Sequence, residues 1–208
     1  MSKYIINSIL LYLSLSLLPT YAKSFHEGVR AFQQKHFSEA YDIFKTLDSQ
    51  KTPEAKYYLA LMYDQGKGVS KNHSEAVKLY HQAASVGYAE AQYNLSIMFR
   101  MGYGVQKNYS ESVKWARLAA EQGHSEALYY LSALYELGLG VTANPVMAQT
   151  LKILAAKKNH SLAKKSINNS THLLTDDQLA EAQTMAALWH KGKPLPLYKD
   201  FTTLHKLN

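Results

Sequence analysis

Residues 64–72, Asp-Gln-Gly-Lys-Gly-Val-Ser-Lys-Asn, place a lysine between two glycines directly after an apolar segment. Gly-rich loops bind phosphate because their backbone N–H groups approach the anion closely while a lysine adds positive charge. The stretch recurs twice at a spacing of 36 residues, and the equivalents of Lys67 are Tyr103 and Leu139. Both glycines persist in each copy. The sequence therefore predicts a turn here rather than a nucleotide site.

The other residues suited to chemistry lack a catalytic spacing. The nine histidines are never three or four residues apart, and neither H-E-x-x-H nor G-x-S-x-G occurs. His124 and His160 lie 36 residues apart, which predicts turn residues rather than ligands. The chain has no cysteine, so thiol nucleophiles, disulfides and Cys-based metal sites are excluded. We expect no enzyme activity, no metal and no cofactor.

The N-terminus has the pattern of a secretory signal peptide over residues 1–22. Lys3 precedes an apolar run at 5–18, and Thr20-Tyr21-Ala22 places small residues where cleavage is specified. We therefore expect export, to the periplasm or beyond, with no membrane span after signal removal. Retention as an anchor is the alternative, although a span needs roughly 20 apolar residues.

The formal net charge of +7 is concentrated near the C-terminus, where residues 152–208 hold nine lysines and four acidic residues. Such lysines form either a solvated face or a surface that attracts an anionic partner. An anionic envelope polymer fits the second interpretation. We expect no nucleic-acid partner, because the chain has an export signal and no recognised nucleic-acid-binding motif.

An internal repeat organises the centre of the chain. In each unit an alanine, a leucine and an aromatic residue follow at steps of four, which places them on one helical face. Two glycines and a valine then form a turn, and an asparagine begins a second helix that contains paired alanines. One helix pair cannot bury its own faces, so stacked pairs are expected. The three gapless units are 55–90, 91–126 and 127–162.

The turn residues have separate predicted roles. The first glycine of each turn should end the first helix in a left-handed conformation, and the asparagine should cap the second helix. Glu75 and Glu111 follow their asparagines by three residues, which predicts capping boxes. The glycines are Gly66, Gly102 and Gly138, and the asparagines are Asn72, Asn108 and Asn144.

The pattern A-x3-L-x3-Y-x2-G-x-G-V-x2-N-x3-A-x6-A-A-x2-G resembles the Sel1-like repeat, a relative of the tetratricopeptide repeat. The resemblance implies an all-α fold, an α/α superhelix or solenoid, and scaffold or adaptor work on a protein or peptide partner. Some proteins of the wider family are described as acting on β-lactams, but those are cysteine-rich. An enzyme acting on β-lactam or cell-wall substrates is therefore a remote alternative.

Both ends of the array depart from the repeat. Residues 23–54 have the spacing of a tetratricopeptide-like helix pair, with a shorter turn. Residues 163–192 predict capping helices, which solenoids need to cover an open core. Within them, Thr175 and Gln178 predict a capping box. Residues 193–208 show no period and are predicted to be an irregular tail.

Partner binding is predicted on the concave face, which the first helices of the units line. If the Leu59 and Tyr63 positions face the core, side chains two residues away point into the groove. The tyrosines of this set suit either a partner or half-buried packing, and its charges suit either recognition or solvation. Tyrosine rings stacking on sugars make an envelope glycan or peptidoglycan the alternative ligand. The set is Tyr57, Leu61, Asp64, Tyr93, Ile97, Arg100, Tyr129, Ala133 and Glu136.

Overall fold

The computed structural model describes residues 24–49, 52–168, 171 and 174–195. These residues form α-helices and no strand. The predicted signal peptide and residues 196–208 of the predicted tail lie outside the described residues. The helices are α1 Phe25–Gln33, α2 Phe37–Ser49, α3 Pro53–Gln65, α4 His73–Ser85, α5 Ala89–Met101, α6 Tyr109–Glu121, α7 Ser125–Leu137, α8 Pro145–Lys157, α9 Ser161–Ser166 and α10 Asp176–Leu188.

Neighbouring helices pack in chain order, which confirms the predicted α/α solenoid. Each repeat contributes one hairpin, and the second helix of a hairpin packs on the first helix of the next. We call α3, α5 and α7 the A helices, and α4, α6 and α8 the B helices. The alanines that open the A helices and the leucines four residues later are buried, as predicted: Ala55, Leu59, Ala91, Leu95, Ala127 and Leu131.

Each A helix ends at a left-handed glycine, as predicted. Gly66, for example, has φ +68° and donates its N–H to the Met62 carbonyl. The lysine of this first turn, Lys67, lies over the rings of Phe32 and Phe37, with Nζ 5.1 and 5.5 Å from their centroids. The turn therefore packs its lysine onto the preceding helix pair.

The predicted asparagine caps are present, but the capping boxes are not reciprocal. Asn72 Oδ1 accepts from the Glu75 N–H at 3.0 Å, and Asn108 Oδ1 accepts from that of Glu111 at 3.1 Å. The N–H of Asn72 closes the turn by donating to the Tyr63 carbonyl at 2.9 Å. That group is therefore already bonded, and the Glu75 carboxylate accepts from Lys78 Nζ instead. The prediction of full capping boxes was wrong for this reason.

The second glycine of each turn lies against the preceding helix pair. A Cβ added to Gly104 would lie 2.3 Å from the backbone carbon and oxygen of His73, the first residue of α4. Gly140 approaches Tyr109, the first residue of α6, equally closely, and Gly68 approaches Phe37 at 2.8 Å. Consecutive units can approach this closely only because glycine has no side chain at these positions.

The N-terminal hairpin of α1 and α2 packs on the first A helix. Gly28 is buried, and a Cβ there would lie 2.7 Å from Cε1 of Phe44. The Phe44 ring stacks on Tyr58 with centroids 4.7 Å apart and an interplanar angle of 18°. The array core therefore continues into this hairpin.

The C-terminal helix α10 covers α8. Lys157 Nζ donates to the Ala186 carbonyl at 3.0 Å, and the predicted capping box at Thr175 and Gln178 is present. The chain then returns to α6, where the Leu195 N–H donates to Glu121 Oε1 at 3.0 Å. Leu195 is buried, so at least this part of the predicted irregular tail is packed.

We expect Gly104→Ala to lower the free energy of unfolding by about 3 kcal/mol or more, because it adds a backbone clash to the left-handed strain. Gly87 is the matched control, since it has φ +94° but no atom within 4 Å of the place that a Cβ would take. Gly87→Ala should cost only about 1 kcal/mol. Urea unfolding of both variants measures the difference, and equal losses would show that the close approach at Gly104 does not matter.

Candidate functional site

The side of the A helices that faces away from the B helices is the candidate binding surface. It carries Leu61, Ile97 and Ala133 at equivalent positions, all half-buried. One turn later in the second and third A helices, Met101 and Leu137 are 39% and 69% exposed. We call these five residues the open face. Its apolar character recurs in three consecutive units, and water solvates such side chains poorly.

The three predicted tyrosines border the open face and also pack between units. Tyr57, Tyr93 and Tyr129 are all half-buried. Each ring lies against the residue that precedes the first helix of the next hairpin, which for Tyr129 is α9, and the centroid distances decrease along the array. The pairs are Tyr57 with Tyr88 at 5.3 Å, Tyr93 with His124 at 5.1 Å and Tyr129 with His160 at 4.5 Å. The packing role that the sequence left open is thus present, and partner binding by these rings stays a prediction.

Equivalent positions of the three units hold Asp64, Arg100 and Glu136. The two acidic residues have a partner within the chain, an imidazole for Asp64 and a lysine for Glu136. Asp64 Oδ1 lies 2.9 Å from Nδ1 of His73, the first residue of α4. Glu136 forms an ion pair with Lys152, whose side chain is only 7% exposed and extends from the B helix of the same unit. The charges of Asp64 and Glu136 are therefore matched inside the chain.

Arg100, the third of these charges, packs on an aromatic ring. Its guanidinium carbon lies 5.6 Å from the centroid of the Tyr130 ring in the next A helix. Ala116 occupies the position that Lys152 holds in the third unit and has no polar group to offer. Nε of Arg100 is buried and has no hydrogen-bond partner within the described part of the chain.

Sequence reasoning missed a row of glutamates beside the tyrosines. In the first turn of a helix a negative charge interacts favourably with the helix dipole. The first turns of the three A helices contain Glu54, Glu90 and Glu126. Their 36-residue spacing could have revealed them. It also missed Met101 and Leu137, because the repeat has Gln65 at the equivalent position of the first unit and so shows no constant residue type.

Two histidines cap helices through an unprotonated ring nitrogen. His124 Nδ1 accepts from the Ala127 N–H at 3.2 Å, and His160 Nδ1 accepts from the Ala163 N–H at 3.1 Å. Burial lowers the pKa of His124 below its ordinary value, although the nearby carboxylates of Glu126 and Glu90 oppose the shift. The low pKa keeps Nδ1 available as an acceptor at neutral pH.

The described residues hold no group of three or more His, Asp or Glu side chains arranged to bind a metal. One Ser-x-x-Lys spacing, at Ser161 and Lys164, falls on the short helix α9, and both residues are exposed. Lys164 Nζ donates to Asn159 Oδ1 at 2.6 Å rather than to the serine.

Among the helices formed by the described residues, none is long and apolar enough to cross a membrane.

Stacked hairpins with a glycine turn after each A helix define the class of α-solenoids built from tetratricopeptide-like units. The profile of the Sel1 repeat matches this chain at residues 53–88, 89–124 and 125–160, more than half of its length. The chain belongs to the Sel1 repeat family. These units begin two residues before those read from the sequence and have the same length.

Two solved structures resemble the chain over most of its length. A Sel1 repeat protein from Oxalobacter formigenes has a TM-score of 0.67 and 26% identity, and the match covers 84% of this chain and 77% of that one. The protein c5321, a protective antigen of uropathogenic Escherichia coli with an SLR fold, has a TM-score of 0.57 and 26% identity. That match covers 88% of this chain and 48% of the antigen, so the chain spans about half of the antigen's length. No curated protein matches.

Sel1 repeat proteins are generally scaffolds for protein interaction and are typically non-catalytic. The chain therefore belongs to a family whose members generally serve as scaffolds for protein interaction. The family does not specify a partner or a surface.

We expect acid to destabilise the fold partly through His124. Its folded pKa lies below the unfolded value of about 6.5, so the unfolded state takes up the proton first as the pH falls. Stability from this residue is complete above the unfolded pKa and decreases as the pH falls towards the folded one. Protonation also removes an N-cap bond worth about 1 kcal/mol.

The variant His124→Asn keeps a capping side chain that does not titrate. Its free energy of unfolding should therefore fall less than that of the wild type between about pH 7.5 and about pH 5. Urea titrations at several pH values measure both slopes. Parallel slopes would contradict a role for His124.

Proposed function

We propose that this chain is an exported, non-enzymatic scaffold that binds a protein or peptide partner on its open face. The observation that carries the proposal is the exposure of Met101 and Leu137 beside the half-buried Leu61, Ile97 and Ala133. Apolar side chains at the centre of a partner interface supply most of its affinity. Successive repeats extend this surface, as solenoids do when they bind elongated partners.

The acidic side chains predicted to bind a partner are already bonded within the chain, which favours the apolar residues as the partner's main contacts. Asp64 and Glu136 are bonded to His73 and Lys152, so a partner would have to break those bonds to use them. Leu137 has no such competing role because most of its side chain is in contact with solvent. Binding would remove this side chain from water at no cost in internal hydrogen bonds.

The substitution Leu137→Asp tests the proposal, with Leu118→Asp as its matched control. Leu118 is 38% exposed on the B helix α6, so both changes place a charge at an exposed leucine. We expect Leu137→Asp to weaken capture of the partner by at least about tenfold, which corresponds to about 1.4 kcal/mol. Leu118→Asp should leave capture unchanged.

The partner is first isolated from cells that express the tagged chain, and its affinity for each purified variant is then measured by titration. Circular dichroism melting shows that both variants remain folded. Loss of binding in Leu118→Asp with full binding in Leu137→Asp would place the partner on the B helices and overturn the proposal.

Export is the second part of the proposal. It is supported by the n-region, apolar run and small residues of positions 1–22. The resemblance to a protective antigen suits a chain that leaves the cytoplasm. Mass spectrometry of the purified native protein should find Lys23 at the mature N-terminus. Recovery of the full-length chain from the cytoplasm would contradict export.

A further inference from the structure

Three tyrosine rings meet where α3 approaches the start of α5. The Tyr57 and Tyr58 centroids lie 5.3 Å apart at an interplanar angle of 82°, and those of Tyr57 and Tyr88 lie 5.3 Å apart at 57°. All three rings are half-buried. The Tyr58 ring also stacks on Phe44, with centroids 4.7 Å apart, so one of its faces is covered, while part of each tyrosine remains accessible to solvent.

Two carboxylates border the same region. Glu54 precedes Tyr57 and Tyr58 by three and four residues on α3, so all three share one side of the helix. Glu90 follows Tyr88 by two residues in the first turn of α5. Burial raises the pKa of Tyr88, and the negative charges of Glu90 and, to a smaller extent, Glu54 raise it further. We call the five residues the tyrosine–glutamate cluster.

The cluster lacks a cation of its own. Elsewhere in the described chain, lysine or arginine side chains lie over aromatic rings, as Lys114 does over Trp115 and Arg100 over Tyr130. No lysine or arginine of the described residues lies over a ring of the tyrosine–glutamate cluster or pairs with its carboxylates. The negative charge of the two glutamates is therefore left without a cation, beside tyrosine rings that are half-buried.

A fourth tyrosine lies behind the cluster with an unpaired hydroxyl. The Tyr80 ring packs on Tyr57 with centroids 6.0 Å apart and is fully buried. Its hydroxyl has no hydrogen-bond partner within the described part of the chain. Buried hydroxyls are nearly always bonded, so this one is an exception within the described part of the chain.

The equivalent junctions of the later units differ. At the second junction Asn94 replaces Tyr58 and His124 replaces Tyr88. At the third, Tyr130 is already bonded to Ser112 and lies under Arg100, and Leu162 stands where a glutamate would continue the row. Only the first junction of the three combines three tyrosines with two glutamates that lack a cation.

We propose that the tyrosine–glutamate cluster binds an arginine side chain of a peptide segment seated on the open face. The negative faces of the rings attract the guanidinium, and the carboxylates of Glu54 and Glu90 accept its N–H bonds. Arginine suits the site better than lysine because its planar group stacks on a ring while it bonds a carboxylate at its edge. The inference rests on the proposed function, since it specifies one contact of that partner.

The test uses acetyl-arginine amide as the probe and acetyl-citrulline amide, its neutral isostere, as the control ligand. Nuclear magnetic resonance of the full chain, with tyrosine rings carrying ¹³C, follows each ring, and Tyr→Phe variants assign the signals. We expect acetyl-arginine amide to shift the Tyr57 and Tyr88 signals saturably. Acetyl-citrulline amide should shift them at least about tenfold less at equal concentration.

Glu54→Gln combined with Glu90→Gln should weaken the probe's affinity by at least about tenfold, because both charged acceptors are lost. Glu181→Gln on α10 removes a carboxylate far along the chain and should change nothing. The spectra themselves report whether each variant is folded. Equal shifts with the citrulline probe, or unchanged affinity in the variant that carries both substitutions, would overturn the proposal.

The arginine-probe experiment and the Leu137→Asp capture experiment can succeed or fail independently of each other. If Leu137→Asp abolishes capture of the partner while the arginine probe leaves the cluster unshifted, the cluster proposal fails and the binding face stands. If the probe binds the cluster while Leu137→Asp captures normally, the cluster stands and the binding face fails.

Discussion

The structure depends on the approach of one backbone to another between consecutive units. Gly104 and Gly140 lie directly against the first residues of α4 and α6, closer than any side chain would permit. A helix pair in isolation leaves an apolar face in water, and stacking against its neighbour buries that face. The glycine contact therefore limits how consecutive pairs can stack.

This constraint separates residues that maintain the array from residues that are free to vary. Small residues such as Ala91 and Ala127 are fixed by packing, whereas Met101 and Leu137 differ from the Gln65 of the first unit. Differences at exposed positions do not disturb the stacking, so they can suit a particular partner. The open face and the tyrosine–glutamate cluster lie side by side on this variable surface.

The elements could be predicted because their determinants are local and repeated. Gly66 and Asn72 act within a few residues of their position in the chain, and the 36-residue period shows which features recur. The partners of the charged residues could not be predicted, since the Lys152 that pairs with Glu136 has no charged equivalent in the other units. Leu195 packs on α6 across a long sequence separation for which the sequence offers no pattern.

The central claim is that partners bind to the A-helix side of the array. Because the chain has no cysteine, a single introduced one reports the exposure of its own position. The rate of maleimide labelling should be measured for Met101→Cys on α5 and Lys78→Cys on α4, with and without the bound partner. If partners bind to the A-helix side, the bound partner should slow labelling at position 101 and leave position 78 unchanged. Protection of position 78 with free labelling at position 101 would contradict it.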